Sequence, residues 1–159
     1  SGLVGSEMCI RDSYKMLHLP DGLSQDSLHM LMTCEPQIKE IGDLISRTDV
    51  LLFGIGTAMR MADQRHIADD VRKQLVDNHA VGEALGQYCD IDGKLIYSTN
   101  NIGLSLPDVA KIPNVIAVAG GQDKSSAIIG VMRACQKGIL IIDEQAAEGM
   151  RQLLQISAL

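Results

Sequence analysis

Two glycine-containing turns in this sequence could hold an anionic ligand. The first, Gly54-Ile-Gly56-Thr57, directly follows the apolar run VLLF. Glycine lets a ligand approach the backbone closely, and Thr57 offers a hydroxyl for hydrogen bonding. A tight turn from strand to helix that binds nothing explains the same residues equally well. Gly54, Gly56 and Thr57 are therefore the first candidate ligand-binding residues.

The second turn places a cation where a helix begins. The string Ala119-Gly120-Gly121-Gln122-Asp123-Lys124-Ser125 closes another apolar run and opens a helical pattern. A lysine in the first turn of a helix opposes the helix dipole, at a cost of about 0.3–1 kcal/mol. A phosphate gripped by Lys124 and by backbone N–H groups would offset that cost, whereas the alternative is a solvated surface lysine. Gly120, Gly121, Gln122 and Lys124 form the second set of candidates.

Three further polar side chains belong to the same hypothesis. Glu83 stands in a mostly apolar stretch, residues 81–85, and its carboxylate is suited to accept hydrogen bonds from sugar hydroxyls. Gln64 and Arg65 follow the first glycine turn by about two helical turns, from where Arg65 could bind a second phosphate bidentately. The alternatives are a solvent-facing charge at position 83 and an exposed charged helix face over 63–73.

Other classes of site lack a supporting motif. G-x-x-x-x-G-K-[ST] is absent and GIGTAM lacks the third glycine of G-x-G-x-x-G, so no nucleotide cofactor is indicated. The histidines and cysteines show no metal-ligand spacing, and no G-x-S-x-G or Cys-His arrangement signals a nucleophile. A net charge of −6, one Phe and no Trp argue against a nucleic-acid surface. The candidates therefore indicate a receptor that uses no cofactor and no metal, rather than an enzyme.

A sheet whose strands end at the two turns would bring these residues together, because ligands bind beyond the carboxyl ends of strands in open α/β sheets. Apolar runs predict strands at 49–55, 115–119 and 139–142, of the kind buried on both faces of a parallel sheet. Helices are predicted at 25–32, 35–46, 58–64, 67–75, 106–111, 123–134 and from the cap Asp143 to about 154. A strand at 15–20 and a hairpin around the turn 90–93, ending near Ser98, complete the pattern. We predict an α/β fold with a Rossmann-like, mainly parallel sheet flanked by helices.

Domain organisation and location follow from the same pass along the chain. Residues 1–13, SGLVGSEMCIRDS, show no helical or strand period and are interpreted as foreign sequence, which leaves 14–159 as one domain. No apolar run reaches the roughly 18 residues that a membrane-spanning helix needs. The N-terminal residues lack signal-peptide features, and the dispersed cysteines fit reduced thiols. We therefore expect a cytoplasmic protein without membrane contact.

Six strings then connect the chain with a known family. They are LHLPDGLSQ, GIGTAMRMADQR, AVGEALGQY, DIDGKLIY, IPNVIAVAGGQDKSSAI and LIIDEQAA, in this order. From Tyr14 to about residue 155 the chain resembles the sugar-binding domain of SorC-type transcriptional repressors. The resemblance implies a fold similar to glucosamine-6-phosphate deaminase, ribose-5-phosphate isomerase and CoA-transferase-like proteins. It also implies a phosphorylated sugar as effector, for example the glycolytic intermediate fructose 1,6-bisphosphate, whose binding alters operator affinity and subunit assembly.

The resemblance assigns roles to individual residues. It implies that Glu83 meets sugar hydroxyls and that Lys124 holds a phosphate beside Gly120 and Gly121. Where a member of the family carries two successive arginines, this chain has Gln64-Arg65, which weakens the expectation of a doubly phosphorylated ligand. The rival interpretations are a sugar-phosphate isomerase or deaminase of the same fold, and a dimerisation domain without a pocket.

The resemblance also predicts what accompanies the chain. The helix-turn-helix region and the Thr-rich phosphate loop of full-length members do not occur in this sequence. The chain is therefore interpreted as the C-terminal part of an effector domain that forms homo-oligomers and reaches operator DNA only through that N-terminal region. Apolar sheet surface and an unpaired strand edge are expected to stay exposed when the chain is alone.

Overall fold

The computed structural model describes residues 15–17, 19 and 23–155. In that part of the chain, helices α1 to α7 are Gln25–Cys34, Pro36–Ser46, Ala58–Gln64, Asp69–Asp77, Leu106–Val109, Ser125–Cys135 and Glu144–Leu153. Strands β1 to β7 are Val50–Gly54, Gly56–Thr57, Gly82–Ala84, Gln87–Cys89, Leu95–Ser98, Asn114–Ala119 and Ile139–Ile142. A 3₁₀ helix, Gln122–Lys124, leads directly into α6. The predicted α/β class, with a parallel sheet flanked by helices, is confirmed.

The parallel sheet has the strand order β1-β6-β7. Leu52 lies beside Ile116, and Ile116 beside Ile139, so the three apolar runs are in register. Alternate residues of these strands, among them Phe53 and Ala117, are buried in a core that α6 also lines. Successive side chains of a strand point to opposite faces of the sheet, so only one face of the parallel sheet packs into this core.

The opposite face of the parallel sheet is open. Leu52 is 67% exposed and Ile139 is 63% exposed, and Val50, Val118 and Ile141 on the same face are exposed as well. The prediction of strands buried on both faces is therefore wrong for this chain, because no described helix packs on that side. The expected exposed apolar sheet surface is present.

A second, antiparallel sheet has the order β2-β3-β4-β5. The predicted hairpin around 90–93 is its β4–β5 pair, and the Asp90 carboxylate stabilises the turn by accepting hydrogen bonds from the N–H groups of Asp92 (3.0 Å) and Lys94 (2.9 Å). β2 corrects the prediction of a loop over 54–57, since Gly56 and Thr57 pair with β3. The two residues of β2 are too few for a strand period to show in the sequence.

A glycine allows this second sheet to lie against α6. A Cβ atom at Gly82 would come within 2.8 Å of the carbonyl oxygen of Ala127, a distance that real Cβ atoms do not reach. Only glycine permits so close an approach of β3 to α6. Because Glu83 is the next residue, this contact fixes the depth at which its carboxylate sits.

The remaining differences lie at helix and strand ends. The strand predicted at 15–20 is wrong for its described residues, 15–17 and 19, which belong to no strand. Lys15 instead contacts Glu40 on α2 at 3.1 Å. The predicted helices are confirmed with shifted ends, α4 at 69–77 and α5 ending at Val109. The interpretation of residues 1–13 as foreign sequence lies outside the described residues. Among the helices that the structure describes, none has the length and apolar character to cross a membrane.

Candidate functional site

A cleft of about 440 Å³ opens where β1 and β2 meet α3, β3 and the 3₁₀ helix. It collects seven of the ten candidate residues from all these elements. They are Gly54, Gly56, Thr57, Gln64, Arg65, Glu83 and Lys124. These seven residues lie together, as predicted from their positions near the ends of strands. Their role in binding stays a prediction.

A larger cavity of about 680 Å³ lies elsewhere, between α1, α2, α5 and the loop 101–104. Leu28, Ile45 and Ile112 contribute to its walls, and none of the ten candidate residues lines it. Because the smaller cleft contains seven of the candidate residues and the larger cavity contains none, the smaller cleft is the candidate site.

Glu83 is the most deeply placed polar group of the cleft. It is 3% exposed, and its Oε1 accepts a hydrogen bond from the Gly86 N–H at 2.7 Å. Its Oε2 faces the position where a Cβ atom of Gly56 would be, 3.9 Å away. Buried carboxylates are rare unless they are paired and hydrogen-bonded. The solvent-facing alternative for Glu83 is therefore wrong.

The turn between β3 and β4 holds this carboxylate in place. Leu85 and Gly86 both have positive φ, 55° and 77°, and a non-glycine residue adopts such a backbone at a cost in energy. Leu85 also lines the cleft. Strained residues persist where the surrounding structure over-determines them, often beside ligand sites, and here the Glu83–Gly86 hydrogen bond supplies that constraint.

Arg65 ends α3 and turns toward Glu83. Its guanidinium nitrogen lies 3.3 Å from Glu83 Oε1, and its side chain is only 26% exposed. This ion pair offsets part of the cost of burying the carboxylate. The alternative of an exposed charged helix face is therefore wrong for Arg65. Gln64, in contrast, is exposed at the rim of the cleft.

The second glycine turn is only partly in the cleft. Lys124 lines it from the end of the 3₁₀ helix, but Gly120, Gly121 and Gln122 do not line it. The Gly121 N–H donates to Asp143 Oδ2 at 2.8 Å, and Asp143 Oδ1 accepts from the Ala146 N–H at 2.8 Å. The Asp143 carboxylate thus already accepts the hydrogen bond of the Gly121 N–H, the backbone donor that was predicted to bind a phosphate.

Arg60 is a cleft residue that the sequence argument missed. It lies on α3 four residues before Gln64 and lines the same cleft. Residues four apart share a helix face, so this spacing was a signal that could have found it. With Arg60, the charged residues lining the cleft are three cations and one carboxylate, although the whole chain carries a net charge of −6.

This geometry suits an anionic ligand that also offers hydroxyl groups. Comparison with known proteins shows which family the chain belongs to. The family model described as "Putative sugar-binding domain" matches residues 8–152. The chain belongs to this sugar-binding domain family. The central glycolytic genes regulator of Bacillus subtilis (strain 168) is 36% identical over 136 residues, which are 86% of this chain and 40% of the regulator. The regulator of the same name from Priestia megaterium (strain DSM 319 / IMG 1521) is 38% identical over 135 residues, 85% of this chain and 39% of the regulator.

A solved structure agrees with this family assignment. "The putative SorC family transcriptional regulator from Enterococcus faecalis" is 38% identical and superimposes with a TM-score of 0.78, over 86% of this chain and 56% of that one. The resemblance to the sugar-binding domain of SorC-type regulators is confirmed. This sugar-binding domain chain spans about 40% of the length of the curated relatives that it matches.

Proposed function

We propose that this sugar-binding domain is the effector-binding part of a cytoplasmic bacterial transcriptional repressor and that its cleft binds a phosphorylated sugar. The observation that carries the proposal is the buried Glu83 carboxylate, held by the Gly86 N–H and Arg65, in a cleft with cationic side chains. A carboxylate accepts hydrogen bonds from hydroxyls, and ammonium and guanidinium groups bind phosphate. A sugar phosphate offers both kinds of group.

Each cleft residue has a proposed part in binding. Glu83 accepts hydrogen bonds from sugar hydroxyls, and Lys124 pairs with a phosphoryl group. Gly54 leaves the backbone accessible, since a Cβ atom there would have no neighbour nearer than 3.9 Å. Gly56 serves differently, because a Cβ atom there would clash with Met61 Cγ, so glycine permits Met61 to pack against the floor of the cleft. Thr57 donates or accepts a hydrogen bond beside them.

The second glycine turn contributes less directly. Gly120, Gly121 and Gln122 position Lys124, because the Asp143 carboxylate ties this turn to the start of α7. A phosphate could replace that carboxylate at the Gly121 N–H only if the turn rearranged. Fructose 1,6-bisphosphate is the proposed effector, in keeping with the glycolytic regulators that the chain is similar to.

The ligand acts by differential affinity. A sugar phosphate that binds one repressor state more tightly shifts the equilibrium toward that state, typically by about 1–3 kcal/mol of coupling. Operator DNA is bound through a region outside this chain, and the shift changes subunit assembly of a homo-oligomer. The cleft does not catalyse a reaction of the ligand, which dissociates chemically unchanged.

Titration calorimetry and thermal unfolding followed by circular dichroism test this function. Fructose 1,6-bisphosphate and fructose 6-phosphate should bind, and fructose should not. At a ligand concentration about 100 times Kd, stabilisation should reach roughly 2.7 kcal/mol, or about 5–11 °C in Tm for a chain of this length. Phosphorus NMR of the same mixtures should show unchanged ligand after hours.

Variants make this test specific to the cleft. Lys124→Ala should weaken the binding of fructose 1,6-bisphosphate and of fructose 6-phosphate about tenfold or more. Lys73→Ala, which removes an exposed lysine of α4 outside the cleft, is the matched control and should change nothing. Conversion of the ligand to a new phosphorus species would favour an enzyme, and an intact response in Lys124→Ala would refute the assignment of Lys124.

A further inference from the structure

Two arginines of the cleft differ in whether a carboxylate already pairs with them. Arg65 pairs with the buried Glu83 at 3.3 Å and is mostly buried itself. Arg60 is exposed on the third position of α3 and lines the cleft. Within residues 15–17, 19 and 23–155, no hydrogen bond or ion pair holds the Arg60 guanidinium. Arg60 therefore keeps its charge available to a ligand, whereas Arg65 is committed to Glu83.

The carboxylate nearest to Arg60 along α3 is also committed. Asp63 lies three residues later, at a spacing that allows an ion pair within a helix. Asp63 instead pairs with Arg72 of α4. Arg60 is thus left without an internal counter-ion on its own helix, beside a cleft that already contains Lys124.

Arg60 and Lys124 reach the cleft from different elements, α3 and the 3₁₀ helix. A single phosphoryl group held by Lys124 would leave the Arg60 guanidinium unused. A guanidinium binds phosphate bidentately through its planar fork of N–H donors. A ligand with two separated phosphoryl groups makes use of both cations.

We infer that Arg60, rather than Arg65, binds a second phosphoryl group, so that the cleft selects sugars carrying two phosphates over sugars carrying one. This inference rests on the proposed function and adds a specificity-determining residue to it. Arg65 then acts as a positioning residue that holds Glu83 ready for the sugar hydroxyls. The cleft obtains its second phosphate contact from Arg60 although position 64 is a glutamine.

Titration calorimetry of the full chain with three probes tests the inference. Fructose 1,6-bisphosphate should bind at least about tenfold more tightly than fructose 1-phosphate or fructose 6-phosphate, the gain expected from one charge-assisted contact. Arg60→Ala should remove that advantage and leave the affinity for at least one monophosphate within about twofold. Arg60→Lys, which keeps a point charge without the planar fork, should retain part of the advantage. Arg47→Ala removes an exposed arginine outside the cleft and should leave all three affinities unchanged.

The outcomes separate this inference from the proposed function. Equal affinity of the unmodified chain for the three probes would refute the second phosphate contact while leaving the sugar-phosphate site standing. An advantage that survives Arg60→Ala but disappears in Arg65→Gln would assign the contact to Arg65 instead. If the folded chain bound none of the three probes, the proposed function and the role of Arg60 would both be refuted.

Discussion

Removing the Glu83 carboxylate should destabilise the fold, by an amount that depends on what replaces it. Glu83→Ala removes the acceptor of the Gly86 N–H and the partner of Arg65. A hydrogen bond to a charged group contributes about 1.5–3 kcal/mol, and breaking a fully buried ion pair costs about 3–5 kcal/mol. Because Arg65 is 26% exposed and can be partly hydrated, we expect a loss near the lower end, about 3 kcal/mol.

Glu83→Gln is the matched variant. Its amide oxygen can still accept from the Gly86 N–H, so the hydrogen bond survives without the charge. We expect a loss of about 1 kcal/mol. Since 1 kcal/mol shifts Tm by about 2–4 °C for a chain of this size, the Ala variant should melt about 6–12 °C below the unmodified chain and the Gln variant about 2–4 °C below it.

Thermal and urea unfolding followed by far-ultraviolet circular dichroism measures these differences. Arg65→Gln and the double variant Glu83→Gln/Arg65→Gln complete a cycle, whose coupling should fall in the range of about 0.5–3 kcal/mol for residues in contact. If Glu83→Ala unfolded within about 0.5 kcal/mol of the unmodified chain, or proved more stable, the reasoning would be wrong. Glu83 would then be a strained ligand-binding group held at the expense of stability.

Three other perturbations test separate features. Gly82→Ala should lower the free energy of unfolding by about 1–3 kcal/mol in urea titrations, because the new methyl group would lie 2.8 Å from the Ala127 carbonyl oxygen. Asp143→Ala should cost about 1–2 kcal/mol as a lost helix cap and accelerate hydrogen exchange of the Gly121 N–H, with Asp143→Asn intermediate. Burial raises the pKa of Cys89 to about 12 and that of Cys135 to about 11, from 9.0. Both thiols should therefore resist alkylation at about pH 8, as peptide mapping would show.

The cysteines also predict how stability changes at alkaline pH. Burial disfavours the thiolate, so the folded state binds these protons more tightly than the unfolded state does. The free energy of unfolding should be insensitive to these groups below about pH 9 and should fall as the pH rises toward 11 and 12, by up to about 1.4 kcal/mol per pH unit for each thiol. Cys89→Ala and Cys135→Ala should each remove part of that slope in urea titrations at several pH values.

Much of the parallel sheet could be predicted because its strands are uninterrupted apolar runs. The strand predicted at 139–142 has the observed bounds, and Asp143 caps the next helix through the Ala146 N–H as expected. The same runs could not reveal that one face is bare. An apolar run has side chains suited to burial on both faces of the sheet, and whether a face is buried depends on which elements pack against it.

The candidate site was predictable in its members but not in its contacts. The glycine turn after an apolar run predicted Gly56, and the apolar surroundings of its carboxylate predicted Glu83. The pairing of Glu83 with Arg65, in contrast, joins residues 18 apart through a turn whose geometry no local pattern encodes. The occupation of the Gly121 N–H by Asp143 joins segments 22 apart. Long-range competition of this kind for a backbone donor is decided by tertiary structure.

The open face of the parallel sheet also affects the heat capacity of unfolding. Apolar surface newly exposed to water is what raises that heat capacity, and a chain of 159 residues would ordinarily show an increment of roughly 2 kcal/mol/K. Leu52, Ile139 and their neighbours already contact water in the native state, so their hydration adds little on unfolding. The increment should therefore fall below that value, and the dependence of stability on temperature should be correspondingly shallow.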